Sequence, residues 1–295
     1  MKVLSLFDGI SCGMVVLERA KIPVEKYFAY EIEPNAIKIS KKNYPDIIHC
    51  GDVTKADFSQ YKGVDLIIAG FPCQDLSINN SNRDGLKGAR SGLFWELVRA
   101  IKEAKPRYFL VENNYKMPED DMNTISDVLG VQPMLINSAV FSAQQRKRLY
   151  WTNIPCEIPS CDKGIVVEDI IEHAQRENLI TEVQFNGHGK LFNKQKKPLR
   201  IGTIGKGGQG ERVYATWGKT VTLTANGGGI GAKTGLYLIG KTVRKLTPLE
   251  AERAQTLPDN YTQGISDAAR YTAIGNGWTV DVIAHILSFI PNGGA

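Results

Sequence analysis

The chain has 295 residues, 42% of them hydrophobic and 23% charged, with a formal net charge of +5 at pH 7. That length buries a proper core and suits one large domain, or a domain with a smaller insert. No apolar run approaches the roughly 20 residues that span a bilayer, so no membrane association is expected, and the opening Met1-Lys2-Val3-Leu4-Ser5-Leu6-Phe7-Asp8 is too short in apolar residues for a signal peptide. Five scattered cysteines fit a reducing, cytoplasmic setting, and Cys156 and Cys161 lack the second ligand pair of a zinc site, so no metal is expected.

Lys2 to Phe7 reads as a buried strand, Asp8-Gly9-Ile10-Ser11-Cys12-Gly13 as a tight turn, and Met14 to Ala20 as a helix. This is the first strand–turn–helix of a nucleotide-type fold, where glycines let backbone N–H groups approach a ligand. The turn lacks both the full G-x-G-x-x-G pattern and a P-loop lysine. Tyr27 to Glu31 reads as a second strand, and Glu31 stands roughly 20 residues after the turn, where such folds place a carboxylate on ribose hydroxyls. Its other reading is a solvated cap on the helix that starts near Pro34. After a short strand at Ile47–Cys50, Asp52 either meets an exocyclic amine or caps the next turn.

Val64 to Ala69 is a branched apolar run, broken at Gly70 and Pro72, that leaves Cys73 just past a strand end. A lone cysteine is usually a small buried hydrophobe. Here its neighbours are polar or turn-forming, and a later strand, Tyr108–Val111, ends on Glu112, so Cys73 is a candidate nucleophile. The polar loop Asp75–Ser91 has the length of a functional lid. Helices follow at Gly92–Ala104 and Asp120–Leu129, with strands at Gln132–Val140 and Arg148–Thr152 on either side of Gln144-Gln145-Arg146-Lys147-Arg148. The alternation predicts a doubly wound α/β sheet.

The pattern changes near Asn153-Ile154-Pro155. Glycine-rich and Thr/Lys-rich segments then predict a smaller, irregular β-rich domain over 155–245, with 1–154 plus 246–295 forming the larger one. From Asn186 to Lys245 there are twelve lysines and arginines and one acid, Glu211, which reads as an electrostatic footprint for phosphates. Thr247-Pro248-Leu249-Glu250 is a capping box that starts a helix, and a last helix is expected from Thr279 to Phe289.

Taken in order, Phe7-x-Gly9, Gly70-Phe71-Pro72-Cys73-Gln74, Glu112-Asn113, Gln144-x-Arg146-x-Arg148, Arg244-x-Leu246-Thr247-Pro248-x-Glu250-x-x-Arg253 and Gly275-Asn276 resemble the motifs of the DNA cytosine-C5 methyltransferases over nearly the whole chain. Leu4 to Ile10, Asp75-Leu76-Ser77-Ile78 and Trp278 resemble the animal de novo branch. Thr222-Leu223-Thr224 and Lys233-Thr234-Gly235-Leu236-Tyr237 are similar to bacterial and phage enzymes. The resemblance implies a Rossmann-like S-adenosylmethionine-dependent methyltransferase fold with a target-recognition domain. It implies that Phe7, Asp8, Gly9, Ile10, Ser11 and Gly13 hold the cofactor with Glu31, Ile32, Asp52 and Val53, joined by Pro72, Leu93, Asn276 and Trp278, and that S-adenosylhomocysteine is the product. It makes Cys73, Glu112, Arg146 and Arg148 the catalytic set, with Arg146 preferred over Arg148 as the ligand of cytosine O2. Three positions depart from the pattern: Ser11, Asn114 and Gly277.

The substrate implied is duplex DNA at a short sequence, with the target cytosine flipped from the helix. The protein is expected to be monomeric, with a cognate restriction endonuclease as a further partner. The rivals are a transfer-RNA cytosine methyltransferase of the same fold, a catalytically silent DNA-binding relative, and a nicotinamide oxidoreductase, which would leave Cys73 and the basic segment unexplained.

Overall fold

A computed structural model describes residues 1–72, 91–172, 184–185, 193–226 and 229–291. Cys73 and the expected lid from Asp75 to Arg90 lie outside the described residues. No helix among the described residues is long and apolar enough to cross a membrane.

The chain divides into two compact units. The first comprises Met1–Ile136, Lys147–Ile158 and Ile283–Ala295. Its strands are β1 (Lys2–Leu6), β2 (Lys26–Tyr30), β3 (Ile48–His49), β4 (Leu66–Ala69), β5 (Tyr108–Asn114), β6 (Met134–Asn137) and β7 (Lys147–Thr152), and its helices α1 (Cys12–Arg19), α2 (Pro34–Asn43), α3 (Phe94–Ala104) and α4 (Glu119–Leu129). The strands form one seven-stranded sheet in the order β3-β2-β1-β4-β5-β7-β6. β1 and β4 are buried along nearly their whole length, which is why they read as continuous apolar runs rather than alternating ones. From β3 to β5 the pairing is parallel, and β7 runs antiparallel to β5. The chain winds outward from β1 to β3, then returns to β4 on the other side, so the strand order reverses between β1 and β4. In open α/β sheets that switch point, at the carboxyl ends of the strands, is where ligands collect.

The second unit comprises Asn137–Arg146 and Pro159–Val282. Its sheet has five strands, in the order β12-β11-β10-β9-β8: β8 (Gln184–Phe185), β9 (Arg200–Thr203), β10 (Arg212–Ala215), β11 (Leu236–Ile239) and β12 (Thr242–Arg244). Ile201, Ile204, Val213, Ala215, Leu236 and Val243 form one of its cores. A second core joins Val167, Tyr237 and Leu246 to Ala251 and Ala254 of α5 (Pro248–Ala254) and Ile274 of α6 (Asp267–Asn276). α7 (Val280–Leu287) follows. The capping box is formed: Thr247 Oγ1 accepts from Glu250 N at 3.2 Å, and Glu250 Oε2 accepts from Thr247 N at 2.7 Å. The compact units therefore part differently from the sequence boundary. The segment 246–282 and the loop carrying Gln144 and Arg146 group with the β-rich sheet.

Several elements differ from expectation. The strand expected over Gln132–Val140 stops at Asn137, whose side chain accepts from Ala139 N and Arg146 N and turns the chain away. β5 continues past Val111 through Glu112 to Asn114 because β7 keeps pairing with it. α6 was not expected; its signal was the N-cap Ser266, which accepts from Ala269 N.

Gly275 packs on the backbone of Thr224 and Ala225: a Cβ there would sit 2.4 Å from the Thr224 carbonyl carbon and 2.4 Å from Ala225 N. Backbone cannot swing aside as a flexible side chain can. Gly275→Ala should therefore cost about 1–3 kcal/mol, as overpacking does, measured as a lower urea midpoint. An unchanged midpoint would mean that the 224–225 segment is free to withdraw.

Candidate active site

The turn after β1 is built on left-handed backbone. Phe7, Gly9 and Ser11 have φ of 57°, 60° and 58°. Glycine adopts this at no cost, but a side chain needs local compensation. Ser11 has it: its Oγ donates to Asp8 Oδ2 and bonds Ser40 Oγ at 2.6 Å. Tyr27 donates to Asp8 Oδ1 at 2.7 Å. Gly13 makes room for this, since a Cβ there would stand 2.3 Å from Tyr27 Oη. Sequence reasoning missed Tyr27 and Ser40 because nothing in their spacing marks them; their role exists only once β2 and α2 lie beside the turn. Burial pushes the Asp8 carboxyl up from 3.8 to about 6, against the hydrogen bonds from Ser11 and Tyr27.

Glu31, at the end of β2, accepts from Gly9 N at 2.7 Å through Oε2, and from Ile32 N and Glu33 N at 2.8 Å each through Oε1. It therefore fastens the turn. Glu33, not Glu31, caps α2. Ile32 beside it is 69% exposed, an apolar surface suited to the face of a planar base. Asp52 caps the 53–55 turn, its Oδ1 accepting from Thr54 N at 2.9 Å, and no described residue bonds Oδ2. Val53 is buried beneath it. A carboxylate for hydroxyls, an open carboxylate oxygen for an amine and an apolar shelf, on neighbouring strand ends, fit the ribose and adenine of S-adenosylmethionine.

The catalytic candidates stand at the other side of the switch point. Glu112 lies within β5, opposite Tyr150 of β7, and Arg148 lies opposite Asn114. Residues two apart on a strand share a face, so Arg148 is the diagonal neighbour of Glu112. Its Nε sits 2.9 Å from Glu112 Oε1, and both side chains are largely buried. Asn113 points to the opposite face, where its Nδ2 donates to Phe71 O at 3.1 Å. That bond ties β5 to the chain two residues before Cys73. Pro72 follows Phe71, and Leu93 packs at the edge of the same core.

Arg146 lies in the second unit, and its guanidinium is committed to backbone. Nη1 donates to Leu223 O at 2.9 Å; Nη2 donates to Gly275 O at 3.1 Å and Gly277 O at 3.2 Å. Gln144 beside it accepts from Leu223 N at 2.9 Å and donates to Gln255 Oε1 at 2.8 Å. Within the first unit, the arginine beside Glu112 is Arg148. Asn276, exposed, and Trp278, half-buried, follow Gly275 in this unit.

A family model for the C-5 cytosine-specific DNA methylase matches residues 1–292. The chain belongs to that family. Its members transfer a methyl group from S-adenosylmethionine to C5 of cytosine in DNA, flipping the target base. Among its relatives are the type II methyltransferase M.HhaI of Haemophilus parahaemolyticus, 30% identical over 97% of this chain and 93% of that protein, and M.NlaX of Neisseria lactamica, 27% identical over 97% and 94%. The orphan methyltransferase M.Rho11sI of Bacillus phage rho11s is 25% identical over 81% of this chain and 60% of that protein. In fold, the chain is similar to the Entamoeba histolytica methyltransferase EhMeth, with a TM-score of 0.74, 18% identity and coverage of 97% and 96%.

The basic segment contributes less surface charge than its composition suggests. Lys219 is 1% exposed and donates to Ala139 O, Ser142 O and Asp162 Oδ1, so its ammonium is spent on structure. Arg244 pairs with buried Glu250, and Lys194 with Asp169. Lys196, Lys197, Arg200, Lys206, Lys241 and Lys245 remain exposed for a phosphate backbone.

Asp8 gives a pH signature in the cofactor-free protein. Its folded value of about 6 lies above the ordinary 3.8, so the folded chain holds this proton more tightly than the unfolded one. Its contribution to stability is present in full below 3.8 and lost as pH rises through about 6. Asp8→Asn should therefore gain on the wild type across that window and level off above it, in urea unfolding. A pH-independent difference would mean that Asp8 binds its proton equally in the folded and unfolded chain.

Proposed function

We propose that the chain methylates cytosine within a short specific sequence of duplex DNA through a covalent bond between Cys73 and C6 of the flipped base. The observation that supports this most is the Glu112–Arg148 pair on β5 and β7, with Asn113 fastening the strand that leads to Cys73. C5 of cytosine is too weak a nucleophile to take a methyl group unaided. The Cys73 thiolate adds to C6, which pushes electrons toward N3 and C5. Glu112 hydrogen-bonds N3 and the 4-amino group, and Arg148 holds the Glu112 carboxyl in place and offers N–H donors to O2. S-adenosylmethionine supplies the electrophilic methyl group. Loss of the C5 proton then restores the ring double bond and expels Cys73 as thiolate.

Phe7, Asp8, Gly9, Ile10, Ser11, Gly13, Glu31, Ile32, Asp52 and Val53, with Pro72 and Leu93, would hold the cofactor. The segment 155–245 would act as the target-recognition domain, its exposed lysines and Arg200 on phosphates and its glycine-rich loops reading base edges. Arg146 serves as a positioning residue for the Leu223 and Gly275–Gly277 segments. The protein would work as a monomer in a bacterial or phage-infected cytoplasm, either with a cognate restriction endonuclease, as in type II systems, or as an orphan, as the phage relative's name describes.

The test is transfer of labelled methyl to duplex DNA and to transfer RNA. DNA should be labelled and transfer RNA not. Cys73→Ala should abolish transfer, and Glu112→Gln should lower kcat by about 10²–10⁴, the usual range for a positioned acid–base group. Labelling of transfer RNA alone would overturn the DNA reading. DNA binding without transfer to either would identify a silent relative.

A further inference from the structure

Just beyond β5, three residues after Glu112, Tyr115 lies on the surface, 37% exposed. Two ammonium groups converge on its ring: Lys116 Nζ at 5.9 Å from the centroid and Lys147 Nζ at 5.7 Å. Lys147 is the first residue of β7, so the cluster straddles the rim where β5 ends and β7 begins. Among the described residues neither ammonium makes an ion pair. Each ammonium lies within reach of the ring quadrupole. Two cations gathered at one ring on the surface attract an anion.

From this geometry we infer a binding site for the DNA phosphates that flank the flipped cytosine, formed by Lys116 and Lys147 and organised by Tyr115. Strand alternation separates the cluster from the base. Glu112 and Arg148 share one face, and Lys147, next to Arg148, projects to the other. A base bound at Glu112 is therefore out of reach of these lysines, but its own phosphates are covalently attached to it and must pass the rim. With an ammonium group within about 6 Å of the ring centroid from each of two lysines, the cluster favours a phosphate clamp over a base-stacking platform. The register adds a structural reason for the pairing: Asn114 opposes Arg148, so the next residue along β5, Tyr115, is brought beside Lys147. Asn114, where the family pattern has valine, accepts from Lys116 N at 3.2 Å and turns Lys116 toward the same ring.

The location rests on the reading of Glu112 as the base-binding residue, and binding assays keep the two apart because they do not require chemistry. Affinity for a labelled duplex with one methylation site would be followed against salt for wild type, Lys116→Gln, Lys147→Gln and the double variant. The slope of log K against log salt should lose about 0.9 for each phosphate contact removed. Tyr115→Leu should lose part of the slope and Tyr115→Phe none, with unfolding temperatures unchanged. A duplex carrying uncharged methylphosphonates on both sides of the target cytosine should bind wild type and double variant alike. An unaltered slope in the double variant would overturn the site, and so would losses from the variant and the methylphosphonates that simply add, which would place the contact elsewhere. A full slope in Tyr115→Leu would remove the ring from the proposal. If the double variant unfolds early, the single variants decide by the same criteria.

Discussion

Antiparallel pairing of β7 against β5 is the constraint on which the carboxyl edge of the large sheet depends. In the parallel part of the sheet, every strand sends its carboxyl end to the same edge, so each offers one group from the residues that follow it. β7 runs the other way and brings its amino-terminal residues, Lys147 and Arg148, to that edge. A largely buried carboxylate such as Glu112 is costly without a partner. The reversed strand supplies one on the same face, two register positions away. The same pairing extends β5 past Val111 and aims Asn113 at Phe71 on the far face. One ladder thus sets Glu112, its cation and the tether to Phe71.

The second unit solves a different problem. Its chain is irregular around Leu223 and Gly275–Gly277, and buried carbonyls there need donors that no regular ladder provides. Arg146 supplies three hydrogen bonds to them, and Gln255 donates to Ile274 O at 2.8 Å and Gly277 O at 3.1 Å. Lys219 does the same for Ala139 and Ser142. Side chains that a motif or a charge tally assigns to ligand binding are here part of the framework. The cofactor turn follows similar logic in the first unit: Asp8, Ser11, Tyr27 and Ser40 hold a left-handed backbone in place, so the serine that departs from the family pattern carries its own compensation.

Much of this was legible in the chain itself. Buried apolar runs marked β1 and β4, the Thr247–Glu250 box marked the start of α5, and Glu31 was recognisable from its place just past a strand end. These are local signals, carried by residues near one another in sequence. The ordered motifs also carried the resemblance to the cytosine-C5 methyltransferases, and with it the reaction.

Which arginine meets the acid was decided only by the tertiary structure. Arg146 and Arg148 are two residues apart and look equivalent in a motif, yet Asn137 turns the chain between the strands and the β5–β7 register gives Glu112 to Arg148 alone. The fate of Lys219 and the meeting of Lys116 and Lys147 at Tyr115 were likewise undetermined by order along the chain. Each depends on contacts between residues far apart in sequence, set by sheet register and burial. Periodicity and residue type determine which face a side chain takes and what chemistry it can do; packing determines which partner it finds.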